Sequence, residues 1–369
     1  MSAEPVSFTI FLHATTLIRD GVQNNWRSKE SLLYYSLALR AVKEALKRRV
    51  EEYSDSFVTA LAGFAACANF AGNYEAAEIH RDAMVKAVRL KGGGNLWEGI
   101  RKFNHFTQRA LTWCEFHVAA KGPSLPKLPY TPPNTISALP PALLIEANRL
   151  NTLALSEVPT LSSPLPQILF QLNQLSLSHF HMALSLSSFV WIGHGKVPGS
   201  VVRLLYDTEY NLLKILSAQR ESTHTFSALD IVYTEACQLY LWISIRRMPL
   251  EMKMYDLFVT RLKSALVSIL DQTLGPKGTR TESDTLSSCD SEVAVKSTIT
   301  FLWPLFLGTF VSSVGSRPEC SWFLEQFTKI VQKTSQIRTK EDLQDMLKIF
   351  PWTDRICRRG IADIAFLFE

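Results

Sequence analysis

The chain has 369 residues, 47% of them apolar and 20% charged, so it is long enough to bury a large core and too apolar to remain unfolded. Only 16 glycines argue against a β-sandwich or a Gly-loop nucleotide enzyme, and a net charge of +5 spread along the chain leaves no basic footprint for nucleic acid. The six cysteines, Cys67, Cys114, Cys237, Cys289, Cys320 and Cys357, stand too far apart for a disulfide framework or a CxxC metal site and suit a reducing compartment.

At the N-terminus an apolar run, Phe8 to Leu12, has Glu4 ahead of it instead of basic residues, so it is not read as a signal peptide. Leu32, Tyr35, Leu39, Val42 and Leu46 recur at helical spacing opposite Arg40, Lys43, Glu44 and Lys47, which predicts an amphipathic helix packed on a core. Ser54-Asp55 is an N-cap signal for an Ala-rich helix over about 56–71. Gly72-Asn73 then reads as a helix stop followed by a cap, predicting a tight αα-hairpin with a partner over 74–91 that Gly92-Gly93-Gly94 ends. One further helix is expected over about 97–120, with Phe103, Phe106, Ala110, Trp113 and either Phe116 or His117 on one side.

Ten of the 17 prolines lie between Pro123 and Pro166, which predicts an extended crossover over 122–166 with at most one short helix, about Ala142 to Leu153. Helical patterning resumes at about 167–192, 199–221, 224–247 and 251–273, and again at 292–314, 319–335, 339–349 and 352–367. Thr339, with Asp342 three residues on, is a capping-box variant. Residues 275–291 read as a polar loop and a phosphorylation region. The stretch 158–195 has no Asp, Glu, Lys or Arg, but Gln167, Gln171, Asn173, Gln174, His179 and His181 interrupt it, so a helix buried in protein is expected rather than a membrane span. The expected architecture is all-α, a large multi-helix bundle or orthogonal array made of an N-terminal half (1–121), the crossover (122–166) and a C-terminal half (167–369), together forming one regulatory domain.

Little in this pattern carries catalytic or metal chemistry. His179 and His181 diverge by roughly 200° on a helix, too far to share a metal. Cys114 and His117 have ligand spacing but no second pair, so they read as buried neighbours of Trp113. His80 reads as a structural histidine hydrogen-bonded to a neighbouring loop. Gly92-Gly93-Gly94 lacks the strand and the Gly-Lys-Ser/Thr order of a P-loop. Asp207, Asp230, Asp256 and Asp271 are solitary, and Asp342 with Asp345 reads as a solvated face. No enzymatic activity, metal or cofactor is therefore expected. Lys47-Arg48-Arg49, Arg246-Arg247 and Arg358-Arg359 read as helix-end charges complementing the helix dipole, the last also as a contributor to nuclear import.

Two passages carry a resemblance. Phe70 to Leu96 (FAGNYEAAEIHRDAMVKAVRLKGGGNL), preceded by the Tyr35–Leu46 helix, and Trp303-Pro304-Leu305-Phe306-Leu307-Gly308, with Arg317 further on, together resemble the fungal-specific transcription factor domain, the helical regulatory region of fungal zinc-cluster transcription factors. The helix Tyr233–Tyr240 and the closing Trp352…Arg355 segment are similar in order and spacing. The resemblance implies motif positions at His80, Gly92, Gly93, Trp113, Trp303, Pro304 and Phe306, each structural in role. From helix physics, a buried, irregular helix is expected at Trp303–Gly308, because Pro304 is costly anywhere but a first turn or a kink.

The family's DNA-reading module, a zinc cluster held by six closely spaced cysteines, has no counterpart ahead of Phe8, so DNA binding by this chain alone is not implied. What the resemblance implies instead is a nuclear regulator, shared or not with the cytoplasm, that works through protein partners (a second copy, a zinc-cluster factor or a coactivator) or through a small-molecule effector, with no membrane contact. Two alternatives stand beside it. A helical interaction scaffold is suggested by Gly72-Asn-Tyr-Glu-x-Ala, which looks like half a tetratricopeptide unit, although no copy recurs at that repeat's period. An all-α enzyme would need carboxylates or histidines gathered in the core.

Overall fold

The computed structural model describes residues 5–23, 25–26, 28–47, 53–122, 124–132, 139–181, 199–221, 226–274 and 299–364. Among these residues every regular element is helical and there is no strand, so the fold is all-α as expected. The chain divides into two compact units, the first built on Met1–Pro132 with Glu251–Tyr255, the second on the remaining described residues. The division falls inside the Pro-rich segment.

In the first unit, the run at Phe8 belongs to an 18-residue helix, α1 (Pro5–Val22), which buries Val6, Ile10, His13 and Leu17 and exposes Phe8 and Phe11. Apolar residues on both faces blurred its period in the sequence. Helix α2 (Lys29–Ala45) starts on Ser28, whose hydroxyl accepts the Ser31 N–H. Its buried stripe is Ser31, Ala38, Val42 and Ala45, with Tyr35 and Leu39 partly covered; Leu32 and Leu46, expected in the core, are exposed. Small side chains let neighbouring helices approach, which turns the larger leucines at the ends outward.

Helices α3 (Asp55–Phe70) and α4 (Tyr74–Lys91) form the expected hairpin. Ser54 caps α3 by accepting the Phe57 N–H, and Asn73 caps α4 by accepting the Ala76 N–H. Gly72 between them sits at φ 76°, a left-handed turn that favours glycine. The single helix expected over 97–120 is two, α5 (Leu96–Arg101) and α6 (His105–Lys121). Asn104 breaks it: its side chain accepts the Thr107 N–H, and its own N–H donates to Asp55 Oδ2 at 2.8 Å.

In the second unit, α7 (Pro141–Glu157) is a full 17-residue helix, longer than the short one expected there, with Pro141 in its first turn where no N–H is needed. Next come α8 (Leu165–His181), α9 (Gly199–Arg220) and α10 (Ala228–Tyr240), the last continued by a π-helical turn, Leu241–Ile245. Then follow α11 (Met254–Leu274), α12 (Leu302–Ser313), α13 (Cys320–Lys333), α14 (Lys340–Leu347) and α15 (Asp354–Asp363). These match the expected spans within a few residues. The parts expected at 182–192 and 292–298, the loop 275–291, and Cys289 lie outside the described residues. Helix α10 is buried almost all round, and the charged side chains this encloses are paired, Asp230 with the Ser162 N–H and Glu235 with Arg261. Ser227 with Asp230 and Thr339 with Asp342 form complete capping boxes. Among the described residues no helix is long and apolar enough to cross a membrane.

Candidate functional site

The residues that carry the resemblance are packed into three interior clusters. The first surrounds Phe64. Tyr35 meets it edge-on at 5.6 Å, His80 stacks on it at 5.0 Å, and His13 lies 6.5 Å from it and 5.2 Å from Tyr35. His80 therefore has a ring for its partner instead of the expected loop. Burial pushes its imidazole below the ordinary 6.5.

The second cluster surrounds His117, which is fully buried. Phe70 meets its ring edge-on at 4.2 Å and Trp113 stacks on it at 5.0 Å. The Asn69 amide donates to His117 Nδ1 at 2.8 Å and to the His117 carbonyl at 3.0 Å, which puts the neutral ring's proton on Nε2. Cys114 is buried on the same helix, and burial raises its thiol well above the ordinary value; Cys67 is pushed up to about 12 for the same reason. Neither is poised as a thiolate. Among the described residues no group of three His, Cys, Asp or Glu side chains is placed to hold a metal ion.

At the hairpin's end Gly92 and Gly93 do different work. A Cβ on Gly92 would lie 2.0 Å from the Asn95 carbonyl oxygen and 2.4 Å from the Gly99 nitrogen, so the backbones of α4 and α5 meet there. Gly93 has open space around it and a φ of 64°.

The third cluster surrounds Trp303, in the second unit. Tyr233 lies 6.1 Å, Tyr240 5.7 Å and Phe350 5.7 Å from its ring. Phe306, one turn on, packs on Phe327 at 6.3 Å and Trp352 at 6.2 Å. The helix is buried as expected but is a regular α-helix. Pro304 is its third residue, within the first turn where N–H groups have no intrahelical acceptor, so no kink is needed. Gly308 admits the Phe323 ring; a Cβ there would come within 2.0 Å of it.

Buried ion pairs are what sequence reasoning missed. Arg81, next to His80, is almost completely buried and donates from Nε and Nη2 to Glu115 at 3.1 and 2.8 Å. Glu115 also accepts the backbone N–H of Lys127 at 2.6 Å and of Leu128 at 3.4 Å, which pins the segment after α6. Arg246 stands at a helix end as expected, closing the π-helical turn, but its side chain is buried against Glu209, its Nε donating at 3.1 Å, and stacks on Tyr206 at 4.9 Å. Arg317 donates to Asp256 and to the Val311 and Leu250 carbonyls, each at 2.8 Å. Arg358, also expected as a helix-end charge, instead stands in the middle of α15, exposed and paired with Asp354 four residues back. No family model, curated protein or solved structure matches the chain.

Proposed function

We propose that the chain is a transcription regulator of the fungal-specific transcription factor type, acting through its helical body by contacts with protein partners or a small-molecule effector and not by reading DNA itself. One observation carries this reading. The segments that resemble the family in the second unit, Tyr233–Tyr240, Trp303–Phe306 and Trp352, lie far apart in the chain yet pack ring against ring around one helix. Tyr35, Phe64 and His80 converge in the same way in the first unit.

On this reading the clusters are the scaffold, and function lies on the surfaces they hold in place. The partner is a second copy, a zinc-cluster factor or a coactivator, and the working compartment is the nucleus. A tagged copy expressed in a fungal host is expected to concentrate there. A strictly cytoplasmic signal contradicts the proposal and favours a helical scaffold with no tie to transcription. The purified chain is expected to leave DNA unshifted at moderate salt; tight sequence-specific binding by it alone contradicts the second half of the proposal.

A further inference from the structure

Helix α1 is fastened to the first unit through an imidazole. His13 sits in the middle of α1 with its Nδ1–H donating to the Ser31 carbonyl of α2 at 3.2 Å. Its ring rests against Tyr35 of α2 and Phe64 of α3, and Phe64 is also the platform on which His80 of α4 stacks. Two imidazoles from two helices thus share one aromatic platform, His13 and Phe64 buried and His80 half-buried.

The other charged groups near the pair are already engaged. On α1, Asp20 is bound by Arg19 at 2.9 Å and by the Ser28 hydroxyl, and Arg19 also pairs with Glu30 of α2 at 2.8 Å. From α2 the groups facing His13 are the Ser31 carbonyl and the Tyr35 phenol. Helix α3 presents Phe64; its one charged residue, Asp55, lies in the first turn and is bonded to the Asn104 N–H. On α4, the charged neighbours of His80 are Glu78, which holds Lys121 and Lys127, and Arg81, which holds Glu115.

We propose that His13 and His80 form an acid-sensitive latch that holds α1 on helices α2 to α4 at neutral pH and releases it on acidification. The neutral rings fit the apolar platform. A proton on either brings a charge into it, and a proton on both sets like charges against the same ring. Burial lowers both imidazoles from 6.5; for His13 the Ser31 bond opposes this, nearby His80 adds to it and Asp20 opposes it. The sign follows from proton linkage. Between the lowered value and 6.5 the released state binds more protons than the latched one, so attachment is complete above 6.5 and is lost as pH falls below it.

Hydrogen–deuterium exchange of the full chain, corrected for intrinsic rates, tests this. Between about pH 7.5 and about pH 5, protection of α1 is expected to fall by about tenfold for each unit by which the histidines are lowered, while the α3–α4 hairpin keeps its own protection. The double substitution His13→Gln with His80→Gln is expected to leave α1 protection independent of pH over that range. Unchanged protection in the unsubstituted protein, or an identical pH response in the double variant, overturns the latch. Should the double variant lack native helicity at neutral pH, histidine titration by NMR in the unsubstituted protein decides. Loss of α1 protection must coincide with protonation of His13 and His80, and a midpoint elsewhere overturns it.

Discussion

Glu115 ties together two parts of the first unit, holding Arg81 of α4 and the backbone N–H of Lys127 after α6. Removing the Arg81 and Glu115 charges from water costs several kcal/mol per ion, and only close pairing offsets this. Glu115→Gln leaves the buried Arg81 guanidinium without its counter-charge, and the expected loss is about 3–5 kcal/mol in urea unfolding. A change within a few tenths contradicts the view that the pair is a structural centre. The pair was legible in principle. Arg81 falls four residues after Ala77 and three before Met84, on the buried stripe of α4, and Glu115 directly follows buried Cys114. Neither residue stands out in the sequence, because the pairing joins positions 34 residues apart. Asp230 offers a test with pH. Burial pushes its carboxyl up, but the Ser162 and Ser227 N–H and hydroxyl groups outweigh that and hold it below the ordinary 3.8. Its contribution is therefore present above 3.8 and lost as pH falls through the lowered value, so Asp230→Asn is expected to flatten the acid end of the stability profile. An unchanged acid limb in the variant contradicts this.

At the scale of the element, helix α12 explains its own sequence. Trp303, Phe306 and Gly308 point toward different neighbours, so each is fixed by a different packing requirement. Trp303→Ala is expected to cost about 3–5 kcal/mol as a cavity, and Gly308→Ala about 1–3 kcal/mol as overpacking against Phe323, both read by denaturant unfolding. The turn after α4 separates two kinds of glycine. Gly93→Ala is expected to cost only the left-handed backbone, about 1–2 kcal/mol, whereas Gly92→Ala forces α4 and α5 apart and is expected to cost more. Equal losses at the two positions contradict the close approach. The caps at Ser54, Asn73 and Thr339 were legible because a cap is a local hydrogen bond written in adjacent residues. The break at Asn104 was not, because Asp55, nearly fifty residues away, supplies half of it.

For the whole molecule, periodicity and the scarcity of glycine were enough to read an all-α chain, since amphipathic spacing is a property of each segment alone. The packing of Tyr233 on Trp303 and of Trp352 on Phe306 could not be read that way, because it depends on which helices become neighbours. The motif residues were recognisable as a pattern, but the clusters they build, and the two histidines on Phe64, exist only in the fold. The clusters face inward, which is why the proposed activity is assigned to surfaces and partners. The most direct measurement joins the full chain to a heterologous DNA-binding domain in a yeast reporter strain. The expected result is a change in reporter output, in either direction, relative to the DNA-binding domain alone, and loss of that change with Trp303→Ala. Output indistinguishable from the DNA-binding domain alone, with the fusion present in the nucleus, contradicts a transcriptional role.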